Sequence, residues 1–96
     1  MTLADIVSQL GVVAEDRIIC VQRPWSAQAE SLLAEPDENL SVPSDSKAAG
    51  FEYFLEVFVV REVLQVLADR PATLDDKIRL LIYYAENDAY PDWVYS

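Results

Sequence analysis

The stretch FEYFLEVFVVREVLQVL, residues 51–67, decides the fold, because its hydrophobic pattern changes from a strand period to a helix period within one apolar run. In residues 51–59, FEYFLEVFV, every second side chain is apolar or aromatic, which predicts a β-strand. The apolar residues that follow recur at i, i+3, i+4 and i+7, the stripe of an amphipathic helix: Val60, Val63, Leu64 and Leu67. A third strand therefore leads almost directly into a helix.

A last helix follows after a break. The pair Arg70-Pro71 ends the preceding helix, because proline forces the residue before it out of the α region. Thr73 caps the last helix, with Asp75 and Asp76 near its positive N-terminal end. Its predicted buried face is Leu74, Ile78, Leu81, Ile82 and Ala85, with Tyr83 beside it in the core. The helix must end before Pro91.

The N-terminal half predicts one helix and two strands. Thr2 and Asp5 form a variant of the capping box ahead of an apolar stripe made by Leu3, Ile6, Val7 and Leu10. RIICVQ, residues 17–22, is rich in β-branched residues and predicts a strand buried on both faces. AESLLAE, residues 29–35, fits a strand or a helix. Its short span between two prolines favours a strand antiparallel to the first.

These elements predict one α+β domain, residues 1–96, with a three-stranded antiparallel sheet and helices packed on it, in the order α-β-β-β-α-α. A polar connection, residues 36–47, precedes the third strand. Within it, Ser44 or Asp45 starts one helical turn, which Gly50 closes. No apolar run approaches the ~20 residues that cross a bilayer.

Net charge is the most unusual property of the composition. Seventeen Asp and Glu residues face seven Lys and Arg residues, which gives a net charge of −10. Such a field repels nucleic acid and anionic lipid and attracts basic partners. The simpler interpretation, that surplus carboxylates only keep the protein soluble, fits the composition equally well.

The basic residues are scattered and predict no nucleic-acid patch. Arg61 beside Glu62 and Lys77 beside Asp76 are interpreted as ordinary surface charges on helices. The N-terminus lacks the basic start of a secretory signal. The single cysteine, Cys20, forms no internal disulfide and fits a reduced, cytoplasmic compartment.

The residue types that are missing exclude several kinds of catalysis. The chain contains no histidine, so Ser–His and Cys–His pairs and histidine-ligated metals are ruled out. Neither of the two glycines lies in a phosphate-binding loop. Glu52 and Glu56 would lie roughly 13 Å apart along the predicted strand, which is long for an acid–base pair. We expect no catalysis, cofactor or metal, and keep a carboxylate enzyme as the weakest alternative.

Two segments combine carboxylates with predicted exposure: the polar connection and the chain end YYAENDAYPDWVYS, residues 83–96. Tyrosine and tryptophan are common at interface centres, because they bury a large area and keep a polar group. The candidate partner-binding residues are Asp37, Glu38, Glu86, Asp88, Asp92, Tyr84, Tyr90 and Trp93. The alternative is a tail whose rings pack on the chain's own core.

The segment from Gly50 to about Ala89, with its strand YFLEVF and a last helix ending in YY..NDA, resembles a group of small uncharacterised bacterial domains. Short acidic proteins of this kind resemble the immunity proteins of bacterial toxin systems, including contact-dependent growth inhibition. The resemblance implies a stoichiometric inhibitor that binds the C-terminal domain of its toxin and blocks the active site. Many such toxins are nucleases with basic substrate-binding faces, which an acidic inhibitor can occupy as a nucleic-acid mimic.

The resulting hypothesis is a cytoplasmic immunity protein that neutralises a toxin domain, a basic nuclease, by occlusion. The alternative is a small acidic adaptor, or a phage-type inhibitor, of another basic protein. Under either hypothesis the partner is a basic protein, with no direct contact to nucleic acid or membrane. We expect a monomer or a weak dimer.

Overall fold

The structure is a computed structural model that describes residues 1–35 and 42–95. Within these ranges three strands form one antiparallel sheet in the order β2-β1-β3. The strands are β1 (Ile18–Gln22), β2 (Ser31–Ala34) and β3 (Phe51–Glu56). The α-helices are α1 (Leu3–Ser8), α2 (Ser44–Ala48), α3 (Val57–Leu64) and α4 (Leu74–Asn87). Short 3₁₀ turns cover Leu10–Val12, Gln65–Leu67 and Asp92–Tyr95. The predicted α+β class, with a three-stranded antiparallel sheet, is confirmed.

The ambiguous segment 29–35 is a strand, as predicted, but a shorter one. β2 pairs with β1 so that Leu33 lies opposite Ile19 and Ser31 opposite Val21. An isolated bridge between Thr2 and Glu30 extends this edge of the sheet towards the N-terminus. The short helical turn predicted near Ser44 is α2.

The third strand ends earlier than its period predicts. β3 stops at Glu56 and α3 begins at Val57, so three residues assigned to the strand are helical. The pairing of β3 with β1 is also irregular: Leu55 lies opposite Ile19, whereas Tyr53 lies opposite Cys20. This bulge places Phe54 and Leu55, neighbours in sequence, together in the main core. A simple period of two fails here because the bulge inserts one residue into the alternation.

The main core lies between one face of the sheet and helices α1, α3 and α4. Ile19 and Val21 of β1 pack there with Val57 and Val60 of α3 and with Leu81 of α4. The opposite face of the sheet carries a smaller buried cluster of Ile18, Cys20, Ala34 and Val42. β1 is thus buried on both faces, as its apolar run predicts.

The buried face of α4 differs from the prediction at two positions. Leu80 is fully buried, whereas Leu74 is 41% exposed. Leu74 is the first residue of the helix, and side chains there point back beyond the helix end. Leu80 is buried because α1 and α3 both pack against α4 and cover a wider arc than one stripe.

Two local predictions at the helix starts are confirmed. Thr2 and Asp5 form a reciprocal capping box on α1, and Thr73 and Asp76 form another on α4. In the second, the Thr73 hydroxyl accepts a hydrogen bond from the Asp76 N–H at 3.1 Å. No helix in residues 1–35 and 42–95 combines the length and the apolar character that crossing a bilayer requires.

Candidate functional site

The C-terminal segment folds back onto the helices. Asp88 ends α4 with a left-handed backbone, φ 54°, and its N–H donates to the Tyr84 carbonyl at 2.7 Å. Val94 is 6% exposed and belongs to the main core. The Arg70 guanidinium donates to the Val94 carbonyl at 2.8 Å and ties the segment to the connection that precedes α4. The packed arrangement, one of the two interpretations open from the sequence, therefore describes the backbone of this tail.

Packing of the tail leaves a group of tyrosines partly open to solvent. The rings of Tyr84 and Tyr90 lie 5.4 Å apart at an angle of 51°. Tyr53, on β3, is 43% exposed and lies within electrostatic reach of Tyr84. Three carboxylates act on these phenols: Glu56 and Asp88 on Tyr53, and Glu62 on Tyr90. We call this set the tyrosine surface: Tyr53, Tyr84 and Tyr90 with Glu56, Glu62 and Asp88.

Burial and negative charge raise the pKa of two of these tyrosines. For Tyr53 burial is the largest cause, followed by the charge of Glu56. For Tyr90 burial is again the largest cause, followed by Tyr84. Because an ordinary tyrosine pKa is already about 10, both phenols stay protonated at neutral pH. Each can donate a hydrogen bond and accept another.

The carboxylates of the tyrosine surface are not neutralised by basic side chains of the described residues. Four arginines form ion pairs with other acids: Arg17 with Glu35, Arg23 with Glu52, Arg61 with Glu15 and Arg79 with Asp76. In residues 1–35 and 42–95, no such pair includes Glu56, Glu62 or Asp88. Their negative charge is therefore directed at solvent, or at a partner.

A concave feature, which we call the C-terminal groove, lies on the exposed face of α4. It has a volume of about 370 Å³ and is lined by Arg79, Ile82, Tyr83, Glu86, Asn87 and Trp93. Arg79, Tyr83 and Glu86 are spaced i, i+4 and i+7 and so share one helix face. Tyr83 was expected in the core, but it is 42% exposed, and its neighbour Tyr84 packs against the core instead.

The structure brings most of the predicted binding residues into these two features. Tyr84, Tyr90 and Asp88 belong to the tyrosine surface, whereas Glu86 and Trp93 line the C-terminal groove. Asp92 is exposed in the last 3₁₀ turn and lines neither. Asp37 and Glu38 lie outside the described residues. The predicted set is therefore divided between two faces of one helix and its tail.

Sequence reasoning missed Tyr53, Glu56, Glu62 and Tyr83. Tyr53 and Glu56 lie on β3, a strand at one edge of the sheet, and Tyr53 comes within electrostatic range of Tyr84 and Asp88 at the end of α4. Nothing in a single sequence specifies that strand order. One local pattern could have indicated Glu62. Phe58 and Glu62 are four residues apart on α3 and so share a helix face, and Phe58 on that face is 43% exposed.

Neither feature has the donor set of a metal site. Across residues 1–35 and 42–95, no three Cys, Asp or Glu side chains converge closely enough to hold a metal ion. Comparison with protein-family models, with curated proteins and with solved structures finds no significant match to this chain.

Proposed function

We propose that this chain is a non-catalytic binding protein, which occludes a basic protein partner and confers immunity to a bacterial toxin domain. The tyrosine surface is the observation that supports this proposal. It combines three partly exposed phenols with three carboxylates that pair with no Lys or Arg of the described chain. The resemblance of residues 50–89 to small immunity-type domains suggests a nuclease as the first toxin class to test.

The two kinds of group would contribute differently to such a complex. Unpaired carboxylates accelerate the encounter with a basic surface and fix its orientation. Tyrosine rings supply contact area at a low entropic cost, and their protonated hydroxyls can hydrogen-bond across the interface. The packed tail supports Tyr90 from behind, because Val94 is anchored in the core four residues later. We propose that this binding takes place in the cytoplasm.

The first experiment is to titrate the protein against the polypeptide encoded immediately beside it, by calorimetry at low and at physiological salt. We expect 1:1 binding that weakens with salt, and growth rescue when both are expressed. The absence of binding, or binding that leaves toxicity unchanged, would refute the proposal.

A matched pair of charge reversals tests whether the tyrosine surface is the contact. Glu62→Lys and Glu30→Lys change the net charge equally, but Glu30 precedes β2, at the sheet edge opposite β3. We expect Glu62→Lys to weaken binding at least tenfold, because like charges juxtaposed at an interface cost several kcal/mol. Glu30→Lys should weaken it less than about threefold, the effect of a rim charge. Equal losses would place the contact elsewhere.

A further inference from the structure

The C-terminal groove contains one cation, and that cation is already engaged. The Arg79 guanidinium carbon lies 5.4 Å from the centre of the Trp93 ring. Its Nη1 is also 3.6 Å from a carboxylate oxygen of Asp76, one turn earlier on α4. Arg79 therefore lies against the Trp93 ring, and the Asp76 carboxylate offsets part of its charge within the fold. An anion entering the groove would meet little uncompensated positive charge.

The groove offers hydrogen-bond acceptors instead. Glu86 is exposed, and within residues 1–35 and 42–95 no cation forms an ion pair with it. The Asn87 side-chain amide nitrogen donates to the Tyr83 carbonyl at 2.9 Å. This bond uses one of the two N–H donors of the Asn87 side chain and leaves its side-chain oxygen as an acceptor. Glu86 and Asn87 are adjacent in sequence and line the same groove.

Aromatic rings complete the lining. Tyr83 is 42% exposed on the outer face of α4, and Trp93 borders the groove from the last 3₁₀ turn. The volume of about 370 Å³ is near the small end of ordinary ligand pockets, about 300–1,000 Å³. A site of this size suits one long side chain.

A guanidinium group matches this combination better than other chemistries. It is planar and always charged, it stacks on aromatic rings, and its donors can pair with a carboxylate through two parallel hydrogen bonds. A lysine ammonium offers no planar surface for stacking. A second copy of this chain is disfavoured, because two molecules of net charge −10 repel each other.

We propose that the C-terminal groove is a docking slot for an arginine side chain of the basic protein partner, an inference that rests on the function proposed above. Glu86 pairs with the guanidinium, Asn87 accepts a further hydrogen bond, and the plane stacks against Tyr83 or Trp93. The slot lies on the exposed face of α4, whereas the tyrosine surface combines the half-buried Tyr84 of the same helix with Tyr53 of β3. A partner that uses both must therefore cover the C-terminal end of α4.

The test uses a small probe in place of the partner. Uniformly ¹⁵N-labelled protein is titrated by NMR with N-acetyl-arginine N-methylamide. The matched probe is N-acetyl-citrulline N-methylamide, which has nearly the same shape but no charge. We expect saturable shifts of the Trp93 indole N–H and the Asn87 side-chain amide with the arginine probe at millimolar concentration. The citrulline probe should bind about tenfold more weakly, because it loses both the ion pair and the cation–π attraction.

Two variants localise the binding. Glu86→Gln should weaken the arginine probe by about three- to fivefold, the size of a partly exposed ion pair. Glu30→Gln removes the same charge outside the groove lining and outside the tyrosine surface, and should leave probe binding unchanged. Equal binding of the two probes, or no effect of Glu86→Gln, would overturn the arginine slot.

The slot and the proposed function fail in distinguishable ways. If the neighbouring polypeptide binds and is silenced but the arginine probe does not bind, the slot is wrong and the function stands. If the probe binds the groove while no basic partner binds the protein, the partner part of the proposal is wrong.

Discussion

Replacing Arg61 by methionine should destabilise the fold far more than its place on an exposed helix suggests. The side chain is 31% exposed and reaches from α3 to the loop after α1. One guanidinium nitrogen donates to Glu15 at 2.8 Å, and the other donates to the Leu10 and Val13 carbonyls, the latter at 2.6 Å. The interpretation of Arg61 as an ordinary surface charge was wrong. Arg61 instead closes the 3₁₀ turn and the loop that follows it onto α3.

The magnitude follows from these three contacts. Each charge-assisted bond to a partly buried carbonyl contributes about 1 kcal/mol net, because its loss leaves an acceptor poorly solvated. The Glu15 pair adds a few tenths of a kcal/mol, since Glu15 is 67% exposed. We therefore expect Arg61→Met to lower the free energy of unfolding by about 2–3 kcal/mol. For a domain of this size that corresponds to a fall in Tm of roughly 10–20 °C.

Arg17→Met is the matched control. Arg17 also makes an ion pair of 2.8 Å, with Glu35, but in the described residues its guanidinium donates to no carbonyl. Urea unfolding followed by tryptophan fluorescence should show a loss below about 1 kcal/mol for Arg17→Met. Glu15→Gln should cost only a few tenths. If Arg61→Met and Arg17→Met cost the same, the carbonyl contacts do not stabilise the loop and the reasoning fails.

Two further predictions concern the tail and the tyrosines. Val94→Ala should lower the free energy of unfolding by about 1.5 kcal/mol, because it leaves a cavity in the main core. Tyr95→Ala, at a position that is 75% exposed, should change it by less than about 0.5 kcal/mol. Equal values in urea unfolding would mean that the tail is not packed. Because the pKa values of Tyr53 and Tyr90 are raised above 10.0, the folded state holds these protons after the unfolded state has released them. Stability should therefore be fully present below pH 10.0 and fall as pH rises through the raised values, and Tyr53→Phe should reduce that fall in urea titrations at alkaline pH.

Local signals predicted the parts of the fold that depend on local physics. The Thr2–Asp5 capping box, the Thr73 cap and the burial of β1 on both faces follow from short patterns, because their interactions lie within a few residues or repeat with the backbone period. The end of β3 did not follow from its pattern. Its alternation continues through Val57, and the bulge that stops it exists only in the pairing with β1. Arg61 was misassigned for the same reason, since its acceptors lie some fifty residues away.

The candidate site was predictable to a similar extent. The aromatic and acidic composition of residues 83–96 predicted Tyr84, Tyr90 and Trp93 as binding residues. The packing of α4, however, decides which ring faces the core and which faces solvent. Tyr83 and Tyr84 illustrate this, because the side chains of adjacent residues on one helix point about 100° apart. One lines the groove and the other packs on the core. Tyr53 joined the set only through the order of strands in the sheet.

The distribution of charge makes two interpretations that the composition left equal distinguishable by experiment. Five of the seven basic side chains have a role inside the fold: four arginines form ion pairs, and Arg70 holds the tail. The cations are therefore largely committed, and the surplus carboxylates set the field that a partner meets. If the acid served solubility alone, Glu62→Lys and Glu30→Lys would have equal consequences, because solubility depends on net charge rather than on position. A binding surface predicts unequal consequences, so the difference between these two reversals decides whether the acidic composition has a function beyond solubility.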